Sequence, residues 1–123
     1  RYRADVAISG GSIARVGDLA GARGTREIDA TNRYVTPGFI NIHSHATPDG
    51  LTTAANMLTQ GVTTEIVNAD GAGPLDLDAQ LADFARRGLA VNAGANIGFN
   101  SAWREVVGLA DRTPSAGDIT RMQ

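Results

Sequence analysis

PGFINIHSH, residues 37–45, joins a Pro-Gly pair to a short apolar run that ends in two histidines separated by one serine. The run reads as a buried-type β-strand. On a strand, side chains two apart leave the same face, so His43 and His45 project together. Two imidazoles at that spacing can share one divalent ion. The plainer alternative is a pair of strand-end histidines hydrogen-bonded to backbone. The surrounding chain has to choose between the two.

Downstream the pattern alternates. LTTAANMLTQG has Leu51, Ala54, Ala55 and Leu58 at helical spacing, with Gly61 as the stop. VTTEIV is a second strand that runs into the loop NADGAG. PLDLDAQLADFARRG is a second helix, with Pro74 near its start, acids early and Arg86-Arg87 in its last turn. LAVNAGANI is a third strand, and SAWREVVG and TPSAGDITRMQ read as helical pieces, the latter opened by Thr-Pro. Strand, helix, strand, helix, strand is the signature of a parallel α/β sheet or barrel. In such sheets function gathers at the carboxyl ends of the strands. Here those ends are His43-Ser44-His45, Asn68 to Gly71, and Asn96 to Ser101, all polar. That coincidence favours a site over chance.

Upstream of Pro37 the chain is different. ADVAIS and SIARVG flank Gly10-Gly11, a hairpin signal. REIDA and RYVTP supply two further short strands around Thr31-Asn32, giving a small antiparallel unit of about four strands, too small to stand alone. The composition is that of an ordinary globular chain, 42% hydrophobic and 20% charged, with net charge −2 over 123 residues. Scattered, balanced charges argue against nucleic acid or an anionic membrane as partner. No apolar run reaches membrane-spanning length and no signal peptide is visible. Cytoplasm fits, and so does periplasm or secretion with a leader removed. Without cysteine there is no disulfide, thiolate ligand or thiol nucleophile. All 11 basic residues are arginine, so no lysine is present for Schiff-base chemistry or carboxylation.

Two histidines do not close a metal site. Asp70, at the end of the second strand, is the best third ligand, although Asp70-Gly71 also suits a plain turn. Asn41 shares the face of His43 and could orient a ligand or substrate, or be a satisfied amide. Asn100, at the third strand end, is the other candidate substrate contact. Ser44 and Ser101 lack a nucleophile elbow, and the spaced glycines lack phosphate-loop spacing. Trp103 is assigned to packing.

With those residues placed, the chain resembles the amidohydrolase superfamily, and within it the D-aminoacylase (N-acyl-D-amino-acid deacylase) branch. ADVAISGGSIARVGDL and REIDATNRYVTPGFINIHSH are similar to that family's N-terminal β-sandwich leading into barrel strand one, written PGFIDxHxH. TQGVTTEIVNADG resembles its second-strand segment and GFNSAWREVVG its GHGTVRRAVVG-like segment, followed by RTPSAGDITRMQ at the next helix start. The resemblance implies an α/β fold: the N-terminal part of a TIM-like (β/α)8 barrel over residues 37–123, preceded by part of a β-sandwich domain over residues 1–36. It implies one or two divalent metals, usually zinc, with His43, His45 and Asp70 as ligands. The reaction implied is hydrolysis of a small-molecule amide by metal-activated water.

Three departures stand out. Asp70 falls where many D-aminoacylases carry the cysteine of a GNCG-like loop, exchanging a soft ligand for a hard one. Asn41 replaces the aspartate of PGFID, and Phe99 replaces the histidine of GHG. A whole barrel takes roughly 250 residues, so this stretch corresponds to an N-terminal piece of a larger enzyme, inactive alone. The remaining ligands and the general base would come from later residues or a separate chain. A cyclic amidase of the dihydroorotase or hydantoinase type, and a homologue that keeps the fold without metal, are the competing expectations.

Overall fold

Alternation of apolar and polar residues around two glycines produces the first element pair. In the computed structural model, which describes residues 2–123, β1 (Asp5–Ser9) pairs antiparallel with β2 (Ser12–Gly17). Val6 faces Val16 and Ile8 faces Ile13. The turn needs positive φ at both central positions, and Gly10 and Gly11 take 58° and 78° at no steric cost. Residues up to Val35 form one compact unit and Thr36–Gln123 another.

The two further strands expected in the first unit do not form. Residues 18–38 contain no strand. Local bonds take their backbone instead: Thr31 N–H donates to Asp29 Oδ1, Gly24 N–H to Glu27 Oε1, and Arg33 N–H closes a turn on Ala30. Asn32 sits in the left-handed region, φ 58°. Short side-chain acceptors of this kind compete directly with a ladder, and β-propensity without a partner strand does not hold a chain extended.

The second unit is a three-stranded parallel sheet in the order β3 (Phe39–Ser44), β4 (Val62–Val67), β5 (Asn92–Ala95). Helices fill the crossovers, as parallel connections require. Five further elements carry helix: α1 (Pro48–Leu51), α2 (Ala55–Leu58), α3 (Leu77–Arg87), α4 (Phe99–Val106) and α5 (Ala116–Met122). Mixed α/β architecture is therefore present, and among the described residues no barrel closes. No described helix is long and apolar enough to cross a membrane.

Some boundaries moved for identifiable reasons. The single helix expected over 51–60 is two short turns. Thr52 Oγ1 bonds back to the Asp49 carbonyl, and Ala54 takes φ 40°, breaking the helix between them. The second helix starts at Leu77 because Asp76 caps it, accepting from Ala79 N–H. The last starts after Ser115 rather than at Thr-Pro, closed by a reciprocal capping box with Asp118. The third strand is only four residues long.

The core is small: Leu51, Ala54, Val67, Phe84 and Val91 are buried together, with Ala93 and Ala95 against them. β3 is less enclosed than its sequence suggests. Ile40 and Ile42 are 61% and 74% exposed, against the buried-type strand expected.

β3 and β4 do not run in simple step. Phe39 pairs with Val62, but Ile40 pairs with Thr64, leaving Thr63 as an extra residue on β4. From Asn41 to Ser44 is three steps on β3 while Glu65 to Val67 is two on β4, so the extra residue is now on β3. The two bulges cancel. Gly38 belongs to the first: a Cβ there would overlap the Thr63 side chain. Gly38→Ala should therefore destabilise the fold by about 1–3 kcal/mol, read as a lowered denaturation midpoint.

Asp118 gives a second test. Arg112, then the Ser115 backbone N–H, then Arg121 hold its carboxyl well below the usual carboxylate range. A lowered folded-state value means the stabilisation is present above about pH 4, the unfolded value, and fades as pH falls further toward the folded value. Asp118→Asn should remove that part of the acid dependence, measured as the shift in denaturation midpoint between neutral and acid pH.

Candidate metal centre

The end of β3 and the loop after β4 make the site. A straight ladder beyond the Asn41–Glu65 pair would place His43 opposite Val67, which is buried. The bulge on β3 places Ser44 there instead, and Ser44 is buried. His43 and His45 are left on the outside, their ring centroids 5.3 Å apart.

Asp70 reaches them from the neighbouring strand. His43 Nε2 lies 2.9 Å from Asp70 Oδ1, and His45 Nε2 lies 3.0 Å from Oδ2. Each carboxylate oxygen thus addresses one imidazole. All three side chains are more than half exposed, at 61%, 69% and 57%. Exposed pairs of this type contribute about 0–1 kcal/mol each, so they do not hold the arrangement together. The strand and the loop do.

The loop is tied at both ends. Asn68, φ 65°, turns the chain out of β4, a conformation asparagine tolerates. Its Nδ2 bonds the Gln80 side chain at 2.9 Å and the Asn96 carbonyl at 3.0 Å. Farther on, the Gly71 carbonyl accepts from Ser101 N–H, and Gly73 N–H donates to Ser101 Oγ. The N-terminal turn of α4 thus clasps residues 71–73. Asp70 stands between these two anchors.

Of the residues singled out in the sequence, the structure brings His43, His45 and Asp70 into one cluster, their candidate ligand atoms all within 4.8 Å of one another. Asn100 lies against the same loop; a Cβ on Gly71 would meet its Nδ2 at 3.1 Å. Both polar ends of the Asn41 amide are engaged, Oδ1 by His43 N–H at 3.2 Å and Nδ2 by Glu65 Oε2 at 2.9 Å. Phe99 lies tilted against Trp103, centroids 5.9 Å apart, on an apolar groove of about 450 Å³ that also involves Ile97, Ile119 and Met122.

Sequence reading missed Glu65, Ser101 and the Asn68–Gln80 pair. A signal existed for Glu65, a carboxyl at the centre of VTTEIV, where an interior strand position rarely takes one without a use.

The donor set suits a divalent ion. Two imidazole nitrogens and a carboxylate form an N/O set typical of zinc and of other borderline metals, leaving open positions.

Comparison with characterised proteins agrees in kind. The chain is 53% identical over 45 residues to an N-acyl-D-glutamate deacylase of Alcaligenes xylosoxydans xylosoxydans, covering 37% of the chain and 9% of that enzyme. It is 39% identical over 103 residues to an adenine deaminase of Deinococcus radiodurans, covering 76% and 19%. It is 40% identical over 73 residues to a D-hydantoinase of Rhizobium radiobacter, covering 53% and 16%. The chain thus spans less than a fifth of the length of each. No protein-family model and no solved structure matches it. Deacylase, hydantoinase and adenine deaminase are all enzymes of the amidohydrolase superfamily, and the matches support that broad grouping.

The clasp on the loop is testable. Gly98 has no room for a side chain, because its Cβ would overlap the Gly71 carbonyl. Gly98→Ala should push residues 71–73 off α4 and increase amide exchange across residues 69–73, measured by hydrogen-exchange mass spectrometry.

Proposed function

We propose that this chain carries part of the active site of a metal-dependent hydrolase that cleaves a linear amide, deacylating N-acyl-D-amino acids. The observation that carries the proposal is the convergence of His43, His45 and Asp70 at the carboxyl ends of two adjacent parallel strands. The identity to the N-acyl-D-glutamate deacylase, with further matches to a D-aminoacylase and an N-acyl-D-aspartate deacylase, supports the substrate class.

In this reading His43 and His45 hold the ion through Nε2, and Asp70 completes the set; zinc is the proposed ion. A divalent metal there supplies Lewis acidity, lowering the pKa of water toward neutrality and polarising a carbonyl. The chain's own residues do the positioning. The bulge on β3 keeps both imidazoles out of the core, and the clasped loop keeps Asp70 opposite them. Asn100, beside the Asp70–Gly71 loop, is the proposed substrate contact. Asn41, with both polar ends engaged, acts by holding the His43 N–H and not by touching substrate.

The proposed fold is a (β/α)8 barrel in which β3, β4 and β5 are the first three strands, with part of a β-sandwich before it. The remaining strands, and the general base, come from the rest of the enzyme, in the same polypeptide or in a separate one. Such closure would also cover Ile40 and Ile42. A cyclic-amidase activity is the second reading, favoured by the hydantoinase match.

The test is metal content and turnover of the full protein on N-acyl-D-glutamate, N-acyl-D-aspartate and a hydantoin. Bound metal with hydrolysis of the acyl-D-amino acids is expected; turnover of the hydantoin alone would move the assignment to the second reading. Absence of metal with both histidines intact would overturn the enzyme proposal. The double variant His43→Ala, His45→Ala should lose metal and activity while its circular dichroism spectrum stays unchanged.

A further inference from the structure

Glu65 is fully buried at the centre of β4, flanked by β3 on one side and β5 on the other. Its Oε2 accepts from Asn41 Nδ2 at 2.9 Å, and its Oε1 has no hydrogen-bond partner among the described residues. A buried carboxyl with one oxygen unsatisfied is destabilising compared with an apolar residue of similar size. Its neighbours Ile66 and Val67 show what an interior strand position ordinarily takes. The group calls for an account that stability does not provide.

Its partner provides one. Asn41 spends Oδ1 on the N–H of His43, two residues ahead, an Asx-type turn that draws this N–H out of the ladder. The bulge lies between Asn41 and Ser44. Asn41 can hold it only while its carboxamide keeps one orientation, oxygen toward His43 and nitrogen toward β4. An acceptor on β4 enforces that orientation, and Glu65 is that acceptor.

We infer that Glu65 is a positioning residue: through Asn41 it clamps the β3 bulge that turns His43 and His45 outward together over Asp70. It touches neither substrate nor metal. The clamp also accounts for Asn at position 41, because an aspartate there would have no donor for Glu65 and would set two carboxyl groups against each other. The inference builds on the proposed ligand role of the two histidines.

The reciprocal exchange tests it. In Asn41→Asp with Glu65→Gln, the glutamine nitrogen can donate to one aspartate oxygen while the other accepts from His43, so the clamp is rebuilt with its polarity reversed. Co²⁺ affinity of the full protein, followed by its visible absorption, is the first readout. Exchange of the His43 amide, followed by NMR, is the second and needs no metal. Glu65→Ala and Asn41→Asp should each weaken Co²⁺ binding by about 10–100-fold, as loss of an outer-shell partner does, and should speed His43 exchange. Glu65→Gln alone keeps an acceptor and should stay near wild type. The reciprocal pair should recover both readouts. If it behaves no better than Asn41→Asp alone, or if Glu65→Ala lowers stability without changing His43 exchange, the clamp is refuted. If the wild type binds no Co²⁺, the metal proposal fails, and the clamp stands or falls on His43 exchange alone.

Discussion

The parallel pairing of β3 with β4, knocked out of step by one residue and then restored, is the constraint from which the rest of the second unit follows. Side chains alternate along a strand, so a one-residue slip exchanges the faces of everything beyond it. The first slip comes at Thr63, the second between Asn41 and Ser44. The second undoes the first, bringing Ser44 opposite Val67 in the interior and leaving His43 at the surface. With the first slip and not the second, an imidazole would have stood opposite Val67, and no pair would face Asp70.

This arrangement is held by backbone and by a few polar ties more than by apolar bulk. The buried cluster is five residues, of which Phe84 and Leu51 are the large ones, each contributing about 1.5–3 kcal/mol. Much apolar surface stays outside, including Ile40 and Ile42 on β3. A parallel sheet is ordinarily covered on both faces, and here β3 remains open. The polar ties lie where the backbone departs from regular geometry: Asn41 at the bulge, Asn68 at the exit of β4, Ser101 on the loop, Asp118 at the cap of α5. Each satisfies groups that a regular ladder or helix would have satisfied, which is why irregular backbone is affordable at those points.

Much of the second unit was legible in the residues. β4 and the end of α3 came directly from a β-branched run and from Arg86-Arg87-Gly88, signals that act within a few residues. The His43–His45–Asp70 grouping was legible because parallel topology makes carboxyl strand ends neighbours whatever the intervening loops do. What failed were segments whose fate depends on a partner. REIDA and RYVTP have strand-like composition, but a strand exists only where another pairs with it, and local Asp and Glu acceptors took their backbone first. The helix over 51–60 failed at Ala54, where an innocuous residue adopts a left-handed turn that no propensity indicates.

Local chemistry along the chain was enough to specify the hairpin at Gly10-Gly11, the order of parallel elements, and which residues carry ligand atoms. These are effects of neighbours in sequence, written in residue type and spacing. Register was another matter. Whether His43 or Ser44 faces the core depends on which backbone N–H pairs across to β4, and that is settled by contacts between residues 24 apart, Asn41 and Glu65 among them. Spacing reports which side chains can share a face; it does not report where a strand slips by one, because a slip changes no local preference and is selected by packing against the neighbouring strand.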